Sequence, residues 1–127
     1  LANYRRTRYN EHEVNEMSDW AKELKVSITV TDREGNIIEM NDASKEVFQK
    51  YGGSALLGRS VFDCHSSASR EKIADLIANW ETNCYTMERN GIKKLIYQTP
   101  WYQDGKACGL VELSMEIPFD IPHRVRK

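Results

Sequence analysis

Apolar and polar residues alternate through Val26, Ile28 and Val30, as in a half-buried strand. The alternation breaks at Asp32-Arg33-Glu34-Gly35-Asn36. The Gly35-Asn36 step supplies a tight turn, and a second short run, Ile37 to Met40, follows at hairpin distance. After Asn41 the period lengthens, with Ala43, Val47, Phe48 and Tyr51 about one helical turn apart. Asn41 itself is a good N-cap, because its amide oxygen can accept an orphan backbone N–H. The stretch predicts hairpin, cap and helix. Gly52-Gly53 is a natural helix stop. Ser66, Ser67 and Ser69 then offer cap oxygens ahead of Ile73, Leu76, Ile77 and Trp80, which recur at i, i+3, i+4 and i+7 and predict a second helix of about three turns. Its opposite side, with Arg70, Glu71, Lys72 and Asp75, is polar.

The last third reads as β. Asn90-Gly91 signals a hairpin between a strand near Cys84 to Arg89 and one near Lys93 to Tyr102. Asp104-Gly105 signals a second, leading into Val111, Leu113, Met115 and Ile117, which alternate with Glu112, Ser114 and Glu116. Pro118 and Pro122 close the last strand. The order is two strands, helices, then three strands: an α+β fold with one face of an antiparallel sheet packed by helices or enclosing a pocket.

Ahead of all this, Tyr9 to Lys25 contains neither Gly nor Pro, and Val14, Met17, Ala21 and Leu24 keep the spacing of a heptad seam. A helix of that length is marginal alone, so it must dock on the body or pair with a second copy, with Trp20 beside the stripe. The two arrangements are compatible. The expected dimer interface is therefore Val14, Met17, Trp20, Ala21 and Leu24.

Composition narrows the classes. At 127 residues, 40% apolar and 29% charged, the chain has the balance of one globular domain. A formal net charge of −1 gives no reason to expect nucleic acid, and the Arg5, Arg6, Arg8 and Arg124, Arg126, Lys127 clusters read as solvated ends. No apolar run is long enough to span a bilayer, so no membrane partner is expected. Cys64, Cys84 and Cys108 form no CxxC pair, and an odd count without a signal-like leader points to a reducing cytoplasm. A chain opening on Leu1 is expected to be a fragment.

The order of these motifs resembles a known family. "TDREGNIIEMNDASKEVF" looks like the opening hairpin and helix of a PAS domain, with its Asp, turn Gly, short strand, Asn and helical Phe. "LLGRSVFD" is similar to the loop before that family's long helix, and Gly109 to Ile117 to its final strand. The resemblance covers Val26 to Ile117. It implies a PAS-like five-stranded antiparallel sheet with helices packed on one face, a domain over 26–117, an N-terminal flanking dimerisation helix over 1–25 and a C-terminal tail over 118–127. It also implies a sensor of small molecules, light, redox state or gases, or a plain dimerisation module for kinases, cyclases and transcription regulators; fold alone does not choose. Flavin photosensors of the family carry a reactive Cys two residues after "GR", where this chain has Val61, and Cys64 lies three residues too late. Oxygen-sensing haem members place their ligating His near the position of Ile73, which cannot bind iron.

The most chemical-looking tetrad is Asp63-Cys64-His65-Ser66, since Cys64 and His65 are both metal ligands and His65 could hold haem. Further ligands at a recognisable spacing are missing. The simpler reading has Cys64 filling a gap and His65 bonding a loop carbonyl. No GxSxG, HExxH, P-loop or paired-carboxylate arrangement appears, and catalysis is not expected. The expected functional surface is an interior cavity walled by Met40, Phe48, Leu57, Val61, Phe62, Ile73, Ile77, Tyr85, Tyr97, Leu113 and Met115, with Cys64 as a soft contact. The same residues could close into a dry core. An apolar or aromatic metabolite suits these walls better than a polyanion, because no basic residue is expected to face the interior. The reading is a cytoplasmic, non-enzymatic sensor of a bacterial signalling protein, two-component or transcription-regulatory. It would bind an unidentified small molecule, with the cofactor unknown, and signal through homodimer rearrangement to an effector outside the chain. The alternatives are a ligand-free interaction module and a haem or metal redox sensor using His65.

Overall fold

A computed structural model of the chain describes residues 17–127. Its elements run α1 (Asp19–Lys22), β1 (Ser27–Thr31), β2 (Ile37–Met40), α2 (Asp42–Val47), α3 (Ser67–Asn79), β3 (Asn83–Arg89), β4 (Ile92–Gln103) and β5 (Lys106–Ile117). Three short 3-10 turns, Gln49–Tyr51, Gly53–Leu56 and Val61–Cys64, bridge α2 to α3. The strands form one antiparallel sheet in the order β2-β1-β5-β4-β3. The expected α+β sheet with helices on one face is what the chain adopts.

Local chemistry sets the elements. Asp32, almost fully buried, folds the first turn around its carboxylate, whose Oδ1 accepts from the backbone N–H of Glu34 and of Asn36, each at 2.9 Å. Asn41 caps α2 by accepting from the Ser44 N–H at 3.0 Å. Ser66 caps α3, whose buried face carries Ile73 and Leu76. Asn90-Gly91 and Asp104-Gly105 all have positive φ, as the two-residue hairpin turns between β3, β4 and β5 require.

The sheet is covered on both faces, which explains why every residue of β1 is buried. On the helical side, Ile37, Met40, Leu56, Val61, Ile73, Leu76 and Leu110 form one core, with Phe48, Leu57, Phe62, Ile77 and Trp80 packed around it. On the other side Ala21, Ile28, Val30 and Ile38 form a second, flanked by Met17, Val26, Trp101, Val111 and Leu113.

Two expectations about helices change. Val14 and the first eight residues of the helix expected over Tyr9 to Lys25 lie outside the described residues; within them the helix is only Asp19–Lys22. The seam divides there. Ala21 (1% exposed) and Met17 pack against the chain's own sheet, while Trp20 (73%) and Leu24 (39%) face outward. The first long helix is also shorter than its pattern suggests. It stops at Val47, and Ser44 is the residue that it buries, because the Ser44 hydroxyl bonds Thr29 Oγ1 of β1; Val47 and Tyr51 stay exposed.

Candidate functional site

Along the helical side of β4, residues at two-residue steps present Ile92, Lys94, Ile96 and Gln98 to the space under α2 and the loop before α3. Register fixes their neighbours: Gln98 lies opposite Glu112, Ile96 opposite Ser114 of β5 and Tyr85 of β3, and Lys94 opposite Met87. The result is an open cleft of about 420 Å³ between this face and the segment Val47 to Tyr51, with His65 at its edge. A narrow inner extension of about 30 Å³, room for a single water, runs beneath Phe48 and His65 toward Thr29, Thr31 and Ile73.

The Glu112 end of the cleft is polar. Asn83 Nδ2 donates to Gln98 Oε1 at 2.9 Å, and Gln98 Nε2 donates to Glu112 Oε2 at 2.7 Å. Burial, and then the nearby Glu112 carboxylate, push the Tyr85 hydroxyl above its ordinary pKa, so it remains a neutral donor at physiological pH. His65 Nδ1 lies 2.8 Å from the Val61 carbonyl, which orients the ring, and its centroid is 6.1 Å from that of Phe48. Lys50 sits 5.0 Å from the centre of the Tyr51 ring at the rim.

Of the expected walls, Phe48, Val61, Ile73 and Tyr85 line these spaces. Met40, Leu57, Phe62 and Ile77 pack into the core alongside, and Cys64 belongs to the turn Val61–Cys64. Tyr97, Leu113 and Met115 are a correction. They alternate with Ile96, Gln98, Glu112 and Ser114, so they point from the opposite face, where Tyr97 pairs with Leu113 and Leu95 with Met115. The expectation of no inward basic residue is corrected too, since Lys50, Arg89 and Lys94 line the cleft. Sequence reading missed Asn83, Gln98, Glu112, Ser114 and Lys94 because it assigned the apolar side of β5 to the pocket, although a second apolar layer claims that side. Among the described residues no group of three or more His, Cys, Asp or Glu could hold a metal ion. Cys84 and Cys108 are free thiols.

Residues 22–83, from the end of α1 to the start of β3, match a sequence profile described as PAS fold. The chain has the fold of a PAS domain. Solved PAS structures agree over most of its length. The PAS domain of BvgS from Bordetella pertussis superposes with a TM-score of 0.61 at 18% identity, covering 80% of this chain and 83% of that one. A PAS domain from Colwellia psychrerythraea gives 0.57 at 19% identity, with coverages of 76% and 90%. The LuxR-type receptor VqmA of Vibrio cholerae gives 0.59 at 16% identity; the match covers 76% of this chain but only 48% of VqmA. At such identities the likeness is one of fold. No curated protein sequence matches the chain. PAS domains are in general sensory rather than catalytic modules, and no described helix is long and apolar enough to cross a membrane.

Proposed function

We propose that this PAS domain is the sensory part of a bacterial signalling protein and binds a small molecule in the cleft between β3, β4, β5 and the Val47 to Tyr51 segment. The observation that carries this reading is the cleft itself, whose volume of about 420 Å³ lies in the range of small-ligand sites. It combines apolar walls with a few fixed polar groups, the arrangement that orients a metabolite. Occupancy would bias the sheet, whose other face packs on Ala21 and Met17, and so shift the N-terminal segment through which a second copy or an effector reads the state. Solved relatives in fold include a sensor histidine kinase from Vibrio cholerae, and VqmA, which is described bound to DPO. A kinase or a DNA-binding output is accordingly the class of effector proposed.

A second reading, a ligand-free interaction module, draws on the inner extension, whose volume of about 30 Å³ holds no more than a water. Native mass spectrometry of the purified chain separates the two. The sensor reading expects added non-covalent mass, or a melting temperature raised by a metabolite panel, with either response lost in Tyr85→Ala. A bare spectrum together with no thermal response overturns it in favour of the interaction module.

A further inference from the structure

The strand register gives the cleft an electrical layout, and that layout selects a class of ligand. Glu112 sits at one end, opposite Gln98, and Lys94 lies four residues along β4 from Gln98, about 13 Å away at Cα. Between them lie Ile96 and its cross-strand partner Tyr85, an apolar and aromatic middle. The acidic end is rigid. Asn83 occupies the Gln98 oxygen, so the Gln98 amide must present its NH₂ to Glu112, and that bond engages only one carboxylate oxygen. At the other end Lys94 is half-buried and forms no ion pair among the described residues; Glu116, its cross-strand neighbour, is exposed and lies beyond ion-pair distance. Arg89, opposite Ile92, adds positive charge at the same end.

We propose that the cleft takes a small amphoteric molecule, its protonated amine on Glu112, its carboxylate on Lys94, and a flat apolar body over Ile96 against Tyr85. The proposal rests on the small-molecule reading and refines it. A polyanion would meet Glu112 and a simple amine would meet Lys94 and Arg89, so each single-charge ligand leaves one end of the cleft opposed or unsatisfied.

Calorimetric titration of the full chain with para-aminomethylbenzoate, benzylamine and para-toluate tests the layout. The amphoteric probe is expected to bind roughly tenfold or more tightly than either analogue lacking one charge. Glu112→Gln should remove its advantage over para-toluate and leave para-toluate bound at least as tightly as before, whereas Lys94→Met should remove its advantage over benzylamine. Equal affinities for the three probes, or an advantage that survives both substitutions, overturn the charge layout and leave a ligand cleft. Binding by none of them beside a native spectrum that carries added mass does the same. Binding by none of them beside a bare spectrum overturns both readings.

Discussion

Asn41 shows how much one side chain can organise. It is fully buried, and its Oδ1 accepts from Ile28 N–H at 2.9 Å and Ser44 N–H at 3.0 Å, while its Nδ2 donates to the carbonyls of Ala21 at 3.0 Å and Val26 at 2.7 Å. One amide thus ties α1, β1 and α2 together. Asn41→Asp keeps the shape and the acceptor but sets a carboxylate oxygen against two carbonyls. It should cost about 3 kcal/mol in urea unfolding at neutral pH. A loss under about 1 kcal/mol would show that the two donor bonds matter little. Glu39 is a quieter case. Burial raises its carboxyl pKa from 4.5 to about 6. The folded state therefore holds the proton more tightly than the unfolded one, so stability falls as pH rises from 4.5 to about 6 and stays lowered above. Glu39→Gln should raise the melting temperature above pH 6 and change nothing below about pH 4.5, read from thermal melts across that range. An equal gain at every pH would assign the effect to something other than ionisation. Asn41 was legible in the sequence as a cap, because Ser44 is three residues on. Its other three bonds were not, since Ala21, Val26 and Ile28 become neighbours only when the sheet closes.

At the level of elements, one bulge decides which residues face the cleft. Counted straight back from the Asp104-Gly105 turn, Glu112 would stand opposite Tyr97. The register shifts between Trp101 and Tyr102, with Cys108 as the extra residue, so Gln98 takes that place and Tyr97 pairs with Leu113 on the far side. The hairpins were readable from their turn residues, as was α3 from its Ser66 cap and its Ile73, Leu76 spacing. The bulge had no such signal, and the cleft's polar end was lost with it. Gly109, next to the extra residue, shows what holds the shift in place. Its φ is 155°, and a Cβ there would lie 1.9 Å from the Thr31 carbonyl oxygen and 2.7 Å from its carbon. Those are backbone atoms of β1 that cannot swing aside. The same carbonyl accepts from Trp101 Nε1 at 2.9 Å, and Thr31 Oγ1 accepts from Leu110 N–H at 3.1 Å. Gly109→Ala should therefore part β1 from β5 and cost about 3 kcal/mol or more, seen as a lower urea midpoint with early loss of β1 amide protection. A near-normal midpoint would mean that the bulge absorbs the methyl group.

For the whole molecule, the two-sided sheet is the route by which the proposed site would reach a signal. Strand β1 carries Thr29 and Thr31 toward the helices and Ile28 and Val30 toward the N-terminal segment, so both layers share one backbone. The heptad spacing of Met17, Ala21 and Leu24 predicted that the N-terminal segment would be either a cover for the sheet or a partner for a second copy. The structure divides those tasks between residues: Ala21 and Met17 cover the sheet, and Trp20 and Leu24 remain available outside it. That division makes the proposed dimer testable without unfolding the domain. Charging Ala21 would put an ion into a closed apolar layer and destroy the fold along with any interface, so it could not tell the two roles apart. Trp20→Glu combined with Leu24→Glu alters only exposed positions. It should leave the melting temperature within a few degrees of wild type while turning a sedimenting dimer into a monomer. A dimer that survives the double substitution would move the interface to another surface and break the proposed route from cleft through β1 to partner. A monomeric wild type would break it more directly, by leaving the sheet's movement with no second copy to read it.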